Sequence, residues 1–164
     1  MELKISNLID AITLSQEWAT HTVSLLDYMF KDSEANPMLS VENDDLLLRC
    51  YYFDDVTPTS LMYKCFPNKK LPTSEQIQDI LKFTASLKST DKLLVHCSAG
   101  ISRSTAVAAG ILCQHGLNAE EALEYVFSIR PQACPNKYIL GLLEEILNID
   151  GLVATARKHN VFAL

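Results

Sequence analysis

One cysteine of the chain stands where an apolar run gives way to a glycine-containing turn. Cys97 directly follows the apolar run 92–96, and Arg103 follows it six positions later. Backbone N–H groups in a short loop between a strand and a helix can form a concave anion site, and the helix N-terminus adds partial positive charge. Gly100 permits the backbone angles that such a tight loop demands. The spacing therefore predicts a phosphate-binding loop made of Ser98, Ala99, Gly100, Ile101 and Ser102.

Cys97 and Arg103 could do chemistry on an anion held in that loop. A helix terminus and a guanidinium lower the pKa of a nearby thiol, and the thiolate is its nucleophilic form. Arg103 has the planar fork that pairs with two phosphate oxygens. These groups predict phosphoryl transfer through a phosphocysteine, with no metal and no cofactor required. The alternative is a buried structural thiol in an ordinary strand–turn–helix corner, which leaves Gly100 and Arg103 unexplained.

The stretch H-C-S-A-G-I-S-R-S resembles the H-C-x-x-G-x-x-R-S/T signature of the cysteine-dependent protein tyrosine phosphatases, in particular the small dual-specificity phosphatases. The order of elements resembles that family from about residue 20 to residue 147. The resemblance implies that Cys97 is the nucleophile and that Arg103 clamps the phosphate. It also implies that the Ser104 hydroxyl hydrogen-bonds the thiolate and that His96 supports the loop and tunes the cysteine. Two structural alternatives stay open: Ser104 as a first-turn cap and His96 as a hydrogen-bonded core histidine.

Expulsion of an alkoxide or phenoxide also needs a proton donor. The string F-D-D-V-T-P resembles the F-D-D-G-x-P segment of the regenerating-liver phosphatases, which implies Asp55 as the general acid and Asp54 as the alternative. A third interpretation is that both are strand-end carboxylates that face water. The separation of Asp55 from Cys97 is longer than is usual in the small members of the family. We expect the extra residues to form a lid or a substrate-contacting loop.

That extra length falls within 56–72, which also carries positive charge. Its lysines either attract a phosphorylated substrate to an otherwise acidic protein or are simply solvated; they are Lys64, Lys69 and Lys70. Further along the chain, R-P-Q-A-C-P-N resembles the R-P-x-x-x-P-N segment of the same family. The resemblance implies that Arg130 and Asn136 are supporting structure, with Asn136 bracing the phosphate loop.

Apolar patterning predicts the elements that must position these residues. We expect strands over residues 3–9, 22–26, 45–53 and 92–96. We expect helices over residues 15–21, 74–87, 103–115, 119–127 and 137–148, with a short terminal helix after them. Strands that alternate with helices indicate an α/β fold, with a largely parallel central sheet of about four to five strands flanked by helices, in a single domain over residues 1–164. Ligands of such sheets bind at the carboxyl ends of the strands, where Asp55 and Cys97 both fall.

Composition and charge argue against several classes of partner. A net charge of −6 disfavours broad binding to nucleic acid or to an anionic membrane. The chain lacks an apolar run of transmembrane length and begins without the features of a signal peptide, so we expect a cytoplasmic location. Five cysteines with no C-x-x-C pair disfavour a zinc knuckle or a thioredoxin-type site and indicate reduced thiols. We expect a monomer.

The sequence predicts hydrolysis of phosphotyrosine, with phosphoserine and phosphothreonine as further substrates. The loop 98–102 carries no lysine, whereas the inositol-lipid phosphatases of the superfamily have basic residues there. This favours a phosphorylated protein as substrate, or a simple monoester. Two alternatives stay open: a phosphoprotein-binding scaffold without turnover, and a phosphatase acting on a non-protein phosphomonoester. A rhodanese-like sulfurtransferase also uses a cysteine loop. The phosphatase is favoured by His96 before the cysteine, by Arg103 at the sixth position after it, and by Ser104 after the arginine.

Overall fold

The computed structural model describes residues 1–66 and 68–161, with four strands and seven α-helices among them. The strands are β1 (Glu2–Ser6), β2 (His21–Leu26), β3 (Leu47–Tyr52) and β4 (Lys92–His96). The helices are α1 (Leu8–Glu17), α2 (Leu61–Cys65), α3 (Ser74–Thr84), α4 (Arg103–Gln114), α5 (Ala119–Ile129), α6 (Lys137–Leu147) and α7 (Leu152–Val161). Two short 3-10 helices, Tyr28–Phe30 and Pro37–Ser40, lie between β2 and β3.

The four strands form one parallel sheet in the order β1-β4-β2-β3. Ser6 pairs with His96, and Leu26 pairs with Tyr52, so the carboxyl ends of the strands meet at one edge of the sheet. The predicted α/β fold with a largely parallel sheet of four to five strands is confirmed, with four strands in the described ranges. The residues that follow the strands at this edge are Asn7, Asp27, Phe53 and Cys97.

Helices cover both faces of the sheet. Helix α1 packs Ala11 against Leu94 on one face. On the other face, the large apolar core includes side chains from α3, α4, α5, α6 and α7. Helix α4 is buried along most of its length, and a Cβ at Gly110 would collide with Leu143 of α6. Small residues in α4 therefore let α6 approach closely, which holds α4 firmly at the end of the loop that follows β4.

The chain before β2 differs from the prediction. The strand expected over 3–9 ends at Ser6, and the helix expected over 15–21 instead spans Leu8–Glu17. The Asn7 side chain accepts a hydrogen bond from the Asp10 amide at 2.8 Å, which caps α1 and ends the strand. The apolar pair Leu8 and Ile9 looks like a continuation of the strand in sequence, but Ile9 lies exposed on α1.

The connection between β3 and α3 contains one short helix, α2, which is capped by Ser60. Helix α3 begins with a capping box between Thr73 and Gln76, at the position predicted from the sequence. None of the helices in the described part of the chain is both long and apolar enough to cross a bilayer.

Candidate active site

The loop between β4 and α4, residues 98–102, is anchored through its carbonyl groups. Each of the five carbonyls accepts a hydrogen bond from outside the loop. The pairs are Leu8 N–H to Ser98 O (3.3 Å), Arg130 Nη2 to Ala99 O (3.2 Å), Arg130 Nε to Gly100 O (2.9 Å), Cys134 N–H to Ile101 O (2.9 Å) and Asn136 N–H to Ser102 O (3.2 Å). A trans peptide points its N–H away from the preceding C=O, so the N–H groups of 99–103 face the inside of the loop. That is the geometry of an anion-binding nest.

Gly100 is required by the shape of this loop. Its φ is +69°, a region that residues with a side chain rarely adopt. A Cβ at this position would lie 2.5 Å from the Ser6 carbonyl carbon and 2.7 Å from Arg130 Nη2. The loop therefore packs directly against the end of β1, and only glycine fits between them.

Cys97 lies at the base of the loop and is only 2% exposed. Its Sγ is 3.2 Å from Ser104 Oγ, and the Gly100 amide donates to it at 3.3 Å. Burial by itself raises the pKa of a thiol, but the Arg103 charge, the Ser104 hydroxyl and nearby backbone amides outweigh burial and lower the pKa of Cys97 below its ordinary value. By contrast, burial raises the pKa of Cys113 to about 11. Of these two thiols, only Cys97 is in an environment that favours the thiolate.

Arg103 is held on three sides. Its Nη1 donates to the carbonyl of Phe53 at 2.7 Å, and its Nη2 donates to Ser98 Oγ at 2.9 Å and pairs with Asp27 Oδ1 at 2.8 Å. The buried Nε has no hydrogen-bond partner within the described part of the chain. An unpartnered buried guanidinium donor is costly unless a ligand binds it. The Nε–H is therefore a donor available to an anion in the loop.

Asp27 is a site residue that the sequence reasoning missed. Its carboxylate contacts both Arg103 and the Ser98 hydroxyl, the latter at 3.2 Å. The available signal was its position directly after β2, because the carboxyl ends of parallel strands converge. The Phe53 carbonyl, which follows β3, joins the site for the same reason.

The two neighbouring aspartates after β3 have different surroundings. Asp54 is 4% exposed; its Oδ1 pairs with Lys69 Nζ at 3.0 Å and its Oδ2 accepts from the Lys70 amide at 2.8 Å. Asp55 is exposed, and its Oδ1 accepts from Ser102 Oγ at 2.7 Å and from Asn136 Nδ2 at 2.9 Å. Asp54 therefore stabilises the connection between β3 and α3 through Lys69 and Lys70, whereas Asp55 lies at the rim of the loop 98–102.

The N-terminus of α4 lacks the usual side-chain cap. Ser102 stands at the capping position, but its hydroxyl donates to Asp55 and makes no cap hydrogen bond. Capping residues normally satisfy the first amides of a helix, and anions bind where those amides are open. Ser102 thus links the rim carboxylate to the loop while leaving the helix end available.

His96 is completely buried at the end of β4. Burial lowers the pKa of its imidazole to about 4; the Cys97 backbone opposes this shift and the Arg103 charge reinforces it. The ring is therefore neutral near pH 7 and does not serve as a cationic partner of the thiolate.

Two clefts are lined by residues that follow β3, and one of them also includes Ser102 of the loop. One, of about 320 Å³, is lined by residues from four segments: Asp55, Val56, Thr57, Ser60, Met62, Ser102, Cys134, Pro135, Asn136 and Lys137. The other, of about 500 Å³, is lined by Tyr28, Met29, Asp54, Phe66, Asn68, Lys69 and Lys70. Both border the connection between β3 and α3, which the sequence predicts to be a lid or a substrate-contacting loop. Cys97 lines neither cleft among the described residues, because it lies buried at the base of the loop.

Comparison with known proteins identifies the family. The model of the dual-specificity phosphatase catalytic domain matches residues 9–147. The chain belongs to the dual-specificity phosphatase family. The resemblance noted in the sequence is thereby confirmed.

Relatives within this family match part of the chain. The mouse protein phosphatase Slingshot homolog 3 is 36% identical over 72 residues, which cover 43% of this chain and 11% of that protein. The mouse dual specificity protein phosphatase 2 is 34% identical over 89 residues, covering 51% of this chain and 28% of that protein. The matched part of the chain therefore spans less than a third of the length of each of these relatives.

Solved structures share the fold across the whole dual-specificity phosphatase domain. PTPMT1 matches with a TM-score of 0.59 at 19% identity, covering 96% of this chain and 95% of that chain. Human DUSP28 matches with a TM-score of 0.55 at 23% identity, covering 89% of this chain and 93% of that chain. At these identities the similarity shows the architecture alone.

Proposed function

We propose that this chain hydrolyses phosphotyrosine in phosphoproteins, and phosphoserine and phosphothreonine as further substrates, through a phosphocysteine intermediate. The observation that carries the proposal is the low-pKa Cys97 thiol at the base of a loop whose amides face inward, beside the unpartnered Nε of Arg103. A nucleophile therefore lies at the base of the loop that would hold the phosphate. A scaffold that only binds phosphoproteins would need neither the lowered pKa nor the Ser104 contact.

The first step transfers the phosphoryl group to the enzyme. The substrate phosphate lies in the nest of amides 99–103, with Arg103 Nε donating to one of its oxygens. The Cys97 thiolate attacks phosphorus, the S–P bond forms and the P–O ester bond breaks. Asp55 gives its proton to the departing phenoxide or alkoxide oxygen. Its position on Ser102, at the rim, supports this role better than the buried and ion-paired position of Asp54.

The second step releases phosphate. A water attacks the phosphocysteine and gives a proton to the Asp55 carboxylate, while the S–P bond breaks and the thiolate is restored. The Ser104 hydroxyl, 3.2 Å from Sγ, stabilises that leaving thiolate. Both steps are carried by protein groups alone, because Arg103 and the loop amides balance the charge on the phosphoryl oxygens.

Hydrolysis of p-nitrophenyl phosphate by the purified chain tests the proposal. Cys97→Ser should reduce turnover by roughly a thousandfold or more while a phosphotyrosine peptide still binds. Cys65→Ser, at an exposed cysteine of α2, is the matched control and should keep full activity. Acid-quenched wild-type enzyme should carry one phosphoryl group on the peptide that contains Cys97. Full turnover by Cys97→Ser, or peptide binding by the wild type with no turnover at all, would overturn the proposal.

A further inference from the structure

The larger cleft, of about 500 Å³, is lined by residues adjacent in sequence to two of the groups that hold Arg103. Tyr28 lines it and follows Asp27, which pairs with Arg103. Asp54 lines it and follows Phe53, whose carbonyl accepts from Arg103. Two pairs of consecutive residues, Asp27–Tyr28 and Phe53–Asp54, therefore join this cleft to the Arg103 side of the loop.

Three of the seven described residues that line this cleft are aromatic or apolar, and the other four are polar or charged. Met29 is 76% exposed and Phe66 is 54% exposed, and both line the cleft together with the half-buried Tyr28. Contiguous exposed side chains of this kind mark interaction sites more often than isolated ones do. Phe66 belongs to the connection between β3 and α3, so the long connection supplies one wall and the segment after β2 supplies the other.

Two lysines stand at the Tyr28 wall of this cleft: Lys70 lines the cleft, and Lys31, which does not line it, also approaches the Tyr28 ring. The Nζ atoms of Lys31 and Lys70 each lie 5.6 Å from the centroid of the Tyr28 ring. Lys69 is already neutralised by Asp54, but neither Lys31 nor Lys70 forms an ion pair within the described ranges. In a chain with a net charge of −6, two uncompensated ammonium groups beside one ring form a local cationic site.

We propose that this cleft is a specificity subsite for an acidic side chain next to the phosphorylated residue of a protein substrate; the proposal rests on the proposed phosphatase function. Lys31 and Lys70 pair with the carboxylate, and Tyr28, Met29 and Phe66 contact the apolar parts of the peptide. A peptide fits these observations better than a multiply phosphorylated lipid headgroup does, because the cations stand outside the phosphate loop and against the Tyr28 ring.

Two phosphotyrosine peptides that differ only in Glu or Gln beside the phosphotyrosine test the subsite. Dissociation constants are measured on the Cys97→Ser form, and kcat/KM is measured on the form with Cys97 intact. The Glu peptide should be favoured by roughly fivefold at low salt, and the preference should shrink at high ionic strength. Lys31→Gln with Lys70→Gln should reduce the ratio to near one. Lys88→Gln, at an exposed lysine before β4, is the charge-matched control and should keep the ratio.

The outcomes separate this proposal from the phosphatase function. A Glu preference in binding without any turnover would support the subsite and contradict the proposed function. Turnover of both peptides with a ratio near one, or a ratio unchanged by the double lysine variant, would overturn the subsite alone. Faster hydrolysis of an inositol phospholipid in vesicles than of the Glu peptide, lost in the double variant, would also overturn it.

Discussion

The Asp27 carboxylate lies 2.8 Å from Arg103 Nη2, across the mouth of the loop that holds Cys97. Arg103 is 2% exposed and Asp27 about one third exposed, so the pair lies between the buried site and solvent. The Arg103 charge is the largest influence that lowers the pKa of Cys97. Asp27 opposes that influence because it partly compensates the same guanidinium.

Removing the Asp27 charge and removing the Arg103 charge should shift the pKa of Cys97 in opposite directions. Asp27→Asn leaves the Arg103 charge uncompensated, so the pKa of Cys97 should fall and alkylation by iodoacetamide should begin at lower pH. Arg103→Gln removes the charge, so the pKa should rise and alkylation should require higher pH. The measurement is the pH profile of the alkylation rate of Cys97. Asp44→Asn, at an exposed carboxylate before β3, is the control and should leave the profile unchanged. A shift to higher pH in Asp27→Asn would contradict this account.

The two aspartates after β3 should respond differently to substitution. Asp55→Asn should lower kcat by roughly a hundredfold for phenyl phosphate, whose leaving group needs a proton, and by much less for p-nitrophenyl phosphate. Asp54→Asn breaks the contacts with Lys69 and the Lys70 amide, so it should lower the midpoint of thermal unfolding. The dependence of kcat on the leaving group should stay as in the wild type. The ratio of kcat for the two esters decides between them. The reverse pattern would assign the acid to Asp54.

The architecture followed from the sequence where apolar patterning was strong. Residues 93–96 and 22–26 are buried on both faces, and such mostly apolar stretches are characteristic of parallel strands. The start of α1 did not follow, because Leu8 and Ile9 continue an apolar pattern that the Asn7 cap interrupts. A single capping side chain decides that boundary, and asparagine before apolar residues is compatible with either structure.

The candidate site was only partly accessible from the sequence. The residues from His96 to Ser104 are contiguous, so their proximity is guaranteed by chain connectivity. Asp27 and the Phe53 carbonyl reach Arg103 only because the parallel sheet brings the ends of β2, β3 and β4 together. The role of Asn136 as a partner of Asp55 likewise depends on how α6 packs against α4.

Ser104 should matter more for the second chemical step than for the first. Its hydroxyl is 3.2 Å from the Cys97 sulfur and stabilises the thiolate that leaves during hydrolysis of the phosphoenzyme. Ser104→Ala should therefore slow the second step, so that p-nitrophenol appears in a burst followed by a slower steady rate. Stopped-flow absorbance measures both phases. Thr105→Ala, whose hydroxyl bonds the Ile101 and Ser102 carbonyls instead, is the neighbouring control and should show no burst. Equal slowing of both phases in Ser104→Ala would indicate a purely structural hydroxyl.

Gly100 offers a test of the loop's shape that is independent of the charges. A Cβ there would lie 2.5 Å from the Ser6 backbone at a φ of +69°, so Gly100→Ala should lower the free energy of unfolding by about 3 kcal/mol. It should also distort the amides that face the phosphate and raise KM for p-nitrophenyl phosphate. Gly141→Ala is the matched control, because a Cβ in that position of α6 meets nothing within 4 Å. It should raise the free energy of unfolding by about 0.5–1 kcal/mol through helix propensity and leave KM unchanged. Urea titrations measure the free energy of unfolding of the two variants, and steady-state kinetics measure their KM. A Gly100→Ala variant with wild-type stability and normal KM would show that the loop tolerates a side chain facing β1.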